Sequence, residues 1–220
     1  MGKNLLQIIQ HYPNYLDILT ELRTQTKEKE PFSEEMNFVL SIEKVLAKNS
    51  CEQVQHAKNM AQLVDLIADN FKLSKHETYR LKLLARFHDI GKICLPKQLL
   101  KKLEPLTEAE WQLIKTHPLE SFLILDHVEA LKPIAFEALC HHENFDGTGY
   151  PNGLKGEEIP LFSRIIRVLD AYEVLMNGRI YQEPVGLKQA IEELEACKNK
   201  QFDPNIVDCF VKIFYNEKEL

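Results

Sequence analysis

His141-His142-Glu143-Asn144-Phe145-Asp146-Gly147-Thr148-Gly149-Tyr150-Pro151, read with His88-Asp89-Ile90-Gly91-Lys92 upstream, decides how this 220-residue chain is built. Each run sets imidazole and carboxylate side chains beside glycines. Outward from them lie His56, His117 and Asp170, so five of the eight histidines and two aspartates stand where metal ligands would stand. Imidazole and carboxylate donors without thiolates suit iron or manganese. A carboxylate between two imidazole clusters can bridge two ions, and two bridged ions clamp a phosphodiester and generate hydroxide near neutral pH. The residues therefore point to phosphoester hydrolysis.

Nearly every segment around these runs reads as helix, with no alternating strand pattern and no internal repeat, so the fold class is all-α. In the helix expected over 51–71, His56, Met60, Val64, Ile67 and Phe71 form one inward stripe. Glu52 lies one turn before His56, so both side chains can reach the same point. A helix over 75–88 puts Leu81, Leu84 and His88 on its inner face, and Gly91 is expected to stop it. Thr107 and Glu110 form a capping box, with Leu106 and Trp111 suited to a hydrophobic staple. Trp111, Ile114 and His117 follow one face, and Pro118 marks a boundary or a fresh first turn. A helix over 133–142 ends at the paired histidines. The stretch 143–160 holds four of the eight glycines and reads as a functional loop. Asp170 sits inside the apolar run of a helix over 161–175, where a carboxylate costs several kcal/mol unless paired or metal-bound. Helices over 184–197 and 204–215 close the chain, the last capped by Asp203.

Residues 1–48 read as a small N-terminal helical appendage and residues 49–220 as the main domain. The appendage either pads the core or offers a surface for homodimerisation or another partner. The net charge of −6 argues against a non-specific DNA or RNA duplex binder, though not against a small phosphate ligand. Five cysteines (Cys51, Cys94, Cys140, Cys197, Cys209) form no CxxC pair and read as reduced, mostly buried thiols of a cytoplasmic protein. No run reaches transmembrane length.

The two signatures resemble those of the HD-GYP family, a branch of the HD-domain phosphohydrolases. The resemblance spans roughly residues 50–215 and includes Gly153-Leu154-Lys155-Gly156, Ile159-Pro160, Arg164-Ile165 and Arg179-Ile180-Tyr181. It implies an HD-domain helical bundle and metal-dependent hydrolysis of cyclic di-GMP to pGpG, and to GMP after a second cut. Another cyclic or linear nucleotide, such as cyclic GMP-AMP, and a weakly catalytic signalling module are the alternatives. The implied ligands are His56, His88, Asp89 and Asp170 for one ion and Asp89, His117, His141 and His142 for the other, with Asp89 bridging. Iron is expected first and manganese second. Glu52 matches a glutamate that holds a third ion in some members; the alternative is a solvated helix residue. Lys92 matches a lysine that contacts the scissile phosphate, and Arg179 an arginine near the guanine site. Tyr150 and its loop would cover the site, either stacking on a base or docking a diguanylate cyclase. The chain departs from the family pattern at Asn59, Ser121, Glu173 and Gln182, which bears on base recognition more than on the metal ligands. His11, His76 and His127 match no motif.

Overall fold

A computed structural model of the protein describes residues 51–178 and 183–216, with side chains from residue 55 to residue 214. The appendage over 1–48, the Glu52 side chain, Arg179 and Gln182 lie outside the described residues. The described chain is all-α, without a strand. Its helices are α1 (Cys51–Ala68), α2 (Lys75–Phe87), α3 (Lys97–Leu100), α4 (Glu108–Ile114), α5 (His117–Asp126), α6 (Ala135–Leu139), α7 (Leu161–Asn177), α8 (Leu187–Ala196) and α9 (Pro204–Asn216). Short 3-10 turns occupy Ile90–Cys94, Lys132–Ile134 and Gly156–Glu158.

The stripe expected on α1 is buried at Met60, Val64 and Ile67 and packs against Leu81 and Leu84 of α2. Helix α7 is the central element and touches α1, α2, α6, α8 and α9. Its Ile165, Ile166, Val168 and Leu169 are all fully buried, and their removal from water is the main force holding the bundle together. Tyr172, Phe210 and Phe214 close the α7–α9 side with ring centroids 4.8–5.2 Å apart.

Capping boxes start α2 at Ser74–Glu77 and α4 at Thr107–Glu110, the second as expected. Pro118 opens a fresh helix, and Asp203 Oδ1 accepts from the Asn205 backbone N–H at 2.9 Å. Arg164 joins Asp203 in a partly buried ion pair at 2.5 Å, which ties α7 to the start of α9.

Several expectations are corrected. Gly91 does not stop α2, which ends at Phe87 with His88 as its cap. Gly91 lies instead inside the 3-10 turn, where a Cβ would fall 2.2 Å from the His117 carbonyl oxygen and 2.5 Å from the Ser121 nitrogen. It is there because α5 comes too close for any side chain. Trp111, Ile114 and His117 do not share a helix: α4 ends at Ile114, His117 opens α5, and Trp111 is 39% exposed. The helix expected over 133–142 is a 3-10 turn followed by the short α6, with the paired histidines in a turn beyond it. The helix expected over 184–197 is the shorter α8. The thiols are less buried than expected: Cys140 is buried, whereas Cys94, Cys197 and Cys209 are half-buried.

Candidate metal centre

Three of the histidines owe their orientation to helix ends. The last carbonyls of an α-helix have no partner inside the helix and accept from whatever donor lies nearby. His88 caps α2, His117 follows α4 and His141 follows α6. In each, Nδ1 donates to the carbonyl three residues back: Ala85 at 3.1 Å, Ile114 at 2.7 Å and Ala138 at 2.6 Å. The tautomer is thereby set, and the Nε2 lone pair is left free for a metal. His56 sits within α1, where the carbonyls are already used. Its Nδ1 donates to Glu173 Oε2 at 2.6 Å instead.

The Nε2 atoms converge. His117 Nε2 lies 3.2 Å from His141 Nε2 and 3.1 Å from His142 Nε2. Nitrogens about 2.1 Å from a common ion stand roughly 3.0–3.4 Å apart, so the spacing fits a shared metal. Asp89 faces both ways. Its Oδ1 is 3.1 Å from His117 Nε2 and 3.5 Å from His141 Nε2, while its Oδ2 is 3.6 Å from His88 Nε2 and is bound by the Lys92 ammonium. His56 Nε2 is 3.3 Å from Asp170 Oδ1. The potential ligand atoms form two groups, Asp89–His117–His141–His142 and His56–His88–Asp170, each within 4.8 Å.

Buried imidazoles and a buried carboxylate would ordinarily be satisfied by hydrogen bonds. His56 Nε2, His88 Nε2 and Asp89 Oδ1 are buried without one. Burial pulls the His88 imidazole down to about 3 and lowers His117 and His142 as well, so all three are neutral at pH 7. Burial works to raise the Asp89 carboxyl, but the charge of the adjacent Lys92 ammonium outweighs it and holds the group well below the ordinary carboxylate range. Neutral imidazoles around an ionised carboxylate are the protonation states a divalent transition metal requires. The residues present fit a pair of such ions.

The loop over 143–160 is organised by Glu143, a buried carboxylate that sequence reasoning missed. Its Oε1 accepts from the Asn152 N–H at 2.7 Å and its Oε2 from the Leu154 N–H at 3.1 Å. Gly147, Gly153 and Gly156 have positive φ, as expected of the loop. Gly149 has another role: a Cβ there would meet the Asn144 nitrogen at 2.2 Å. This tight closure brings the Tyr150 ring to 4.9 Å from His142, stacked at 25°. The Lys115 ammonium lies 5.9 Å from the same ring.

Two departures from the family pattern pair with each other. Asn59 Nδ2 donates to Glu173 Oε1 at 2.7 Å, so the carboxylate behind His56 is held from both sides. A third, Ser121, accepts from the Gly91 N–H through Oγ at 2.9 Å and fastens the His-Asp turn to α5. Arg167, also missed, places Nη1 3.4 Å from His142 Nδ1 and donates through Nη2 to Asn144 Oδ1 at 3.0 Å. Its only sequence signal was a lone cation in an apolar run, one turn before Asp170.

A family model described as an HD domain matches residues 41–206. The chain belongs to the HD-domain family. With Gly149-Tyr150-Pro151 after the paired histidines, it is an HD-GYP domain. Among curated proteins, it is 33% identical over 198 residues to a cyclic di-GMP phosphodiesterase of Thermotoga maritima, covering 87% of this chain and 53% of that one. It is 30% identical to 3'3'-cGAMP-specific phosphodiesterase 2 of Vibrio cholerae, covering 90% and 36%. The HD-GYP chain thus spans about half or less of the length of these relatives. Bd1817, a HDG"Y"P protein from Bdellovibrio bacteriovorus, shares the fold with a TM-score of 0.63 at 18% identity, over 94% of this chain and 70% of that one.

Proposed function

We propose that the protein is a metal-dependent phosphodiesterase that opens cyclic di-GMP to pGpG, and to GMP after a second cut. The observation carrying this reading is the convergence of His117, His141 and His142 Nε2 atoms on Asp89, beside a second group of His56, His88 and Asp170. Asp89 would be shared by two ions, iron first and manganese second. Bound there, the ions would supply Lewis acidity toward a phosphoryl oxygen and a lowered pKa for an attacking water.

The chain's own residues prepare that chemistry. Burial keeps His88 and His117 neutral, and their Nδ1 bonds to backbone carbonyls leave Nε2 free. Asp89 stays ionised and presents one oxygen to each group. Lys92, held on Asp89 Oδ2, can meet a phosphate that approaches the pair as a point charge. Tyr150 supplies an aromatic face for a base, and Arg179 a second contact to base or phosphate. Glu52, one turn before His56, is the candidate for a third ion. The loop over 143–160 is also a candidate docking surface for a diguanylate cyclase, and residues 1–48 for a second copy of the chain. Four free thiols among the described residues favour a reducing, cytoplasmic setting. No described helix is long and apolar enough to cross a membrane.

The resemblance to a cGAMP-specific relative favours one second reading, in which cyclic GMP-AMP is the better substrate. Protein purified without oxygen, analysed for metal and assayed side by side on both compounds tests both. At least two ions per chain with turnover of cyclic di-GMP is the expected result. Preference for cyclic GMP-AMP would move the substrate to the second reading, and turnover by a metal-free protein would end the metal reading.

A further inference from the structure

Asp89 stands between two ligand groups that are backed by opposite charges. Behind His56 stands Glu173, which is 5% exposed. It accepts from His56 Nδ1 at 2.6 Å, from Asn59 Nδ2 at 2.7 Å and from Asn177 Nδ2 at 3.1 Å. Behind His142 stands Arg167, its Nη1 3.4 Å from Nδ1. A guanidinium has no acceptor and does not lose its proton in proteins, so His142 has nothing there to receive an Nδ1 proton.

These backings act on the ligands in opposite directions. An imidazole that donates Nδ1–H to a carboxylate becomes a stronger donor at Nε2. One that faces a cation becomes weaker, and the cation also repels an incoming metal ion. The ligands add to the contrast. The His56 group holds a carboxylate of its own in Asp170, whereas the other group sets three imidazoles around Asp89.

We infer that the two groups bind divalent ions with unequal affinity, His56–His88–Asp170 tightly and His117–His141–His142 weakly, with Glu173 and Arg167 as the positioning residues that set the difference. The inference rests on the metal reading proposed above. It makes the weaker group the one that responds to metal supply: at limiting metal the protein holds one ion, and it gains the second only as free metal rises.

The test is titration of the metal-free full chain with Mn(II) under nitrogen, with unbound ion read by electron paramagnetic resonance and no nucleotide present. Two steps separated by at least tenfold are expected. Asp170→Asn removes the tight step and His142→Ala the weak one. Glu173→Gln weakens the tight step by about 10- to 100-fold and spares the weak one. Arg167→Met tightens the weak step by about 10-fold, while Arg167→Lys, which keeps the charge, stays near the parent. If Glu173→Gln loses its helical circular dichroism, the Arg167 pair decides alone. Equal affinities in the parent protein, or an Arg167→Met variant whose weak step does not move, would overturn the inference. Two resolved steps in a protein that turns over no cyclic dinucleotide would remove the substrate reading and leave this one standing.

Discussion

Gly91→Ala should damage the metal centre without touching a ligand. The new Cβ would lie 2.2 Å from the His117 carbonyl oxygen and 2.5 Å from the Ser121 nitrogen, both backbone atoms that no rotamer change can move. Restoring an ordinary contact requires α5 to retreat by about 1 Å, since overpacked sites relax only by shifting their neighbours. That shift strains the 2.9 Å bond from the Gly91 N–H to Ser121 Oγ. Overpacking costs about 1–3 kcal/mol and the weakened bond about 1 more. For a chain of this length the total corresponds to a fall in Tm of roughly 5–15 °C. His117 opens α5 and moves with it, and a misplacement of about 1 Å at a reacting centre costs about 100-fold. Calorimetry gives Tm, and elemental analysis gives the ions retained. Gly186→Ala is the control, because its Cβ would meet nothing within 4 Å and its φ is −71°. A Gly91→Ala protein that melts with the parent and keeps its full metal complement would refute the close approach of α5 as the basis of the site.

Glu143→Gln should loosen the loop over 143–160, since one of its two backbone donors then faces an amide N–H. The expected cost is about 1.5–3 kcal/mol, read as faster hydrogen exchange at Asn152 and Leu154; unchanged protection there would show that the loop is held by something else. Tyr150→Ala should weaken cyclic di-GMP binding by roughly 5- to 150-fold with metal content intact, whereas Tyr150→Phe should not. Normal nucleotide affinity in the alanine variant would end the base-stacking role. Burial pushes the Cys140 thiol up to about 12, so at pH 8 it is almost wholly protonated and should react with a disulfide reagent only after unfolding. Rapid labelling of Cys140 in the native protein would contradict its burial.

The helical class and the set of candidate ligands were both legible in the residue order. Apolar spacing on α1, α2 and α7 announces which face turns inward, and His56, His88 and Asp170 on such faces mark a site when taken together with the other histidines, though a single one would not. Local signals also served well at Thr107–Glu110, Pro118 and Asp203, where the interaction spans only two or three residues. What the order of residues cannot express is which side chains meet across the bundle. Glu173 and Asn59 each read as a departure from a family pattern, yet they are 114 positions apart and bonded to each other. Gly91 read as a helix stop because its neighbour α5 is invisible from the local sequence. The role of Arg167 depends on where the turn after α6 delivers His142. Tautomers, the two-sided reach of Asp89 and the opposite charges behind His56 and His142 come from contacts between distant segments. They exist only once burial of the α7 face has drawn those segments together.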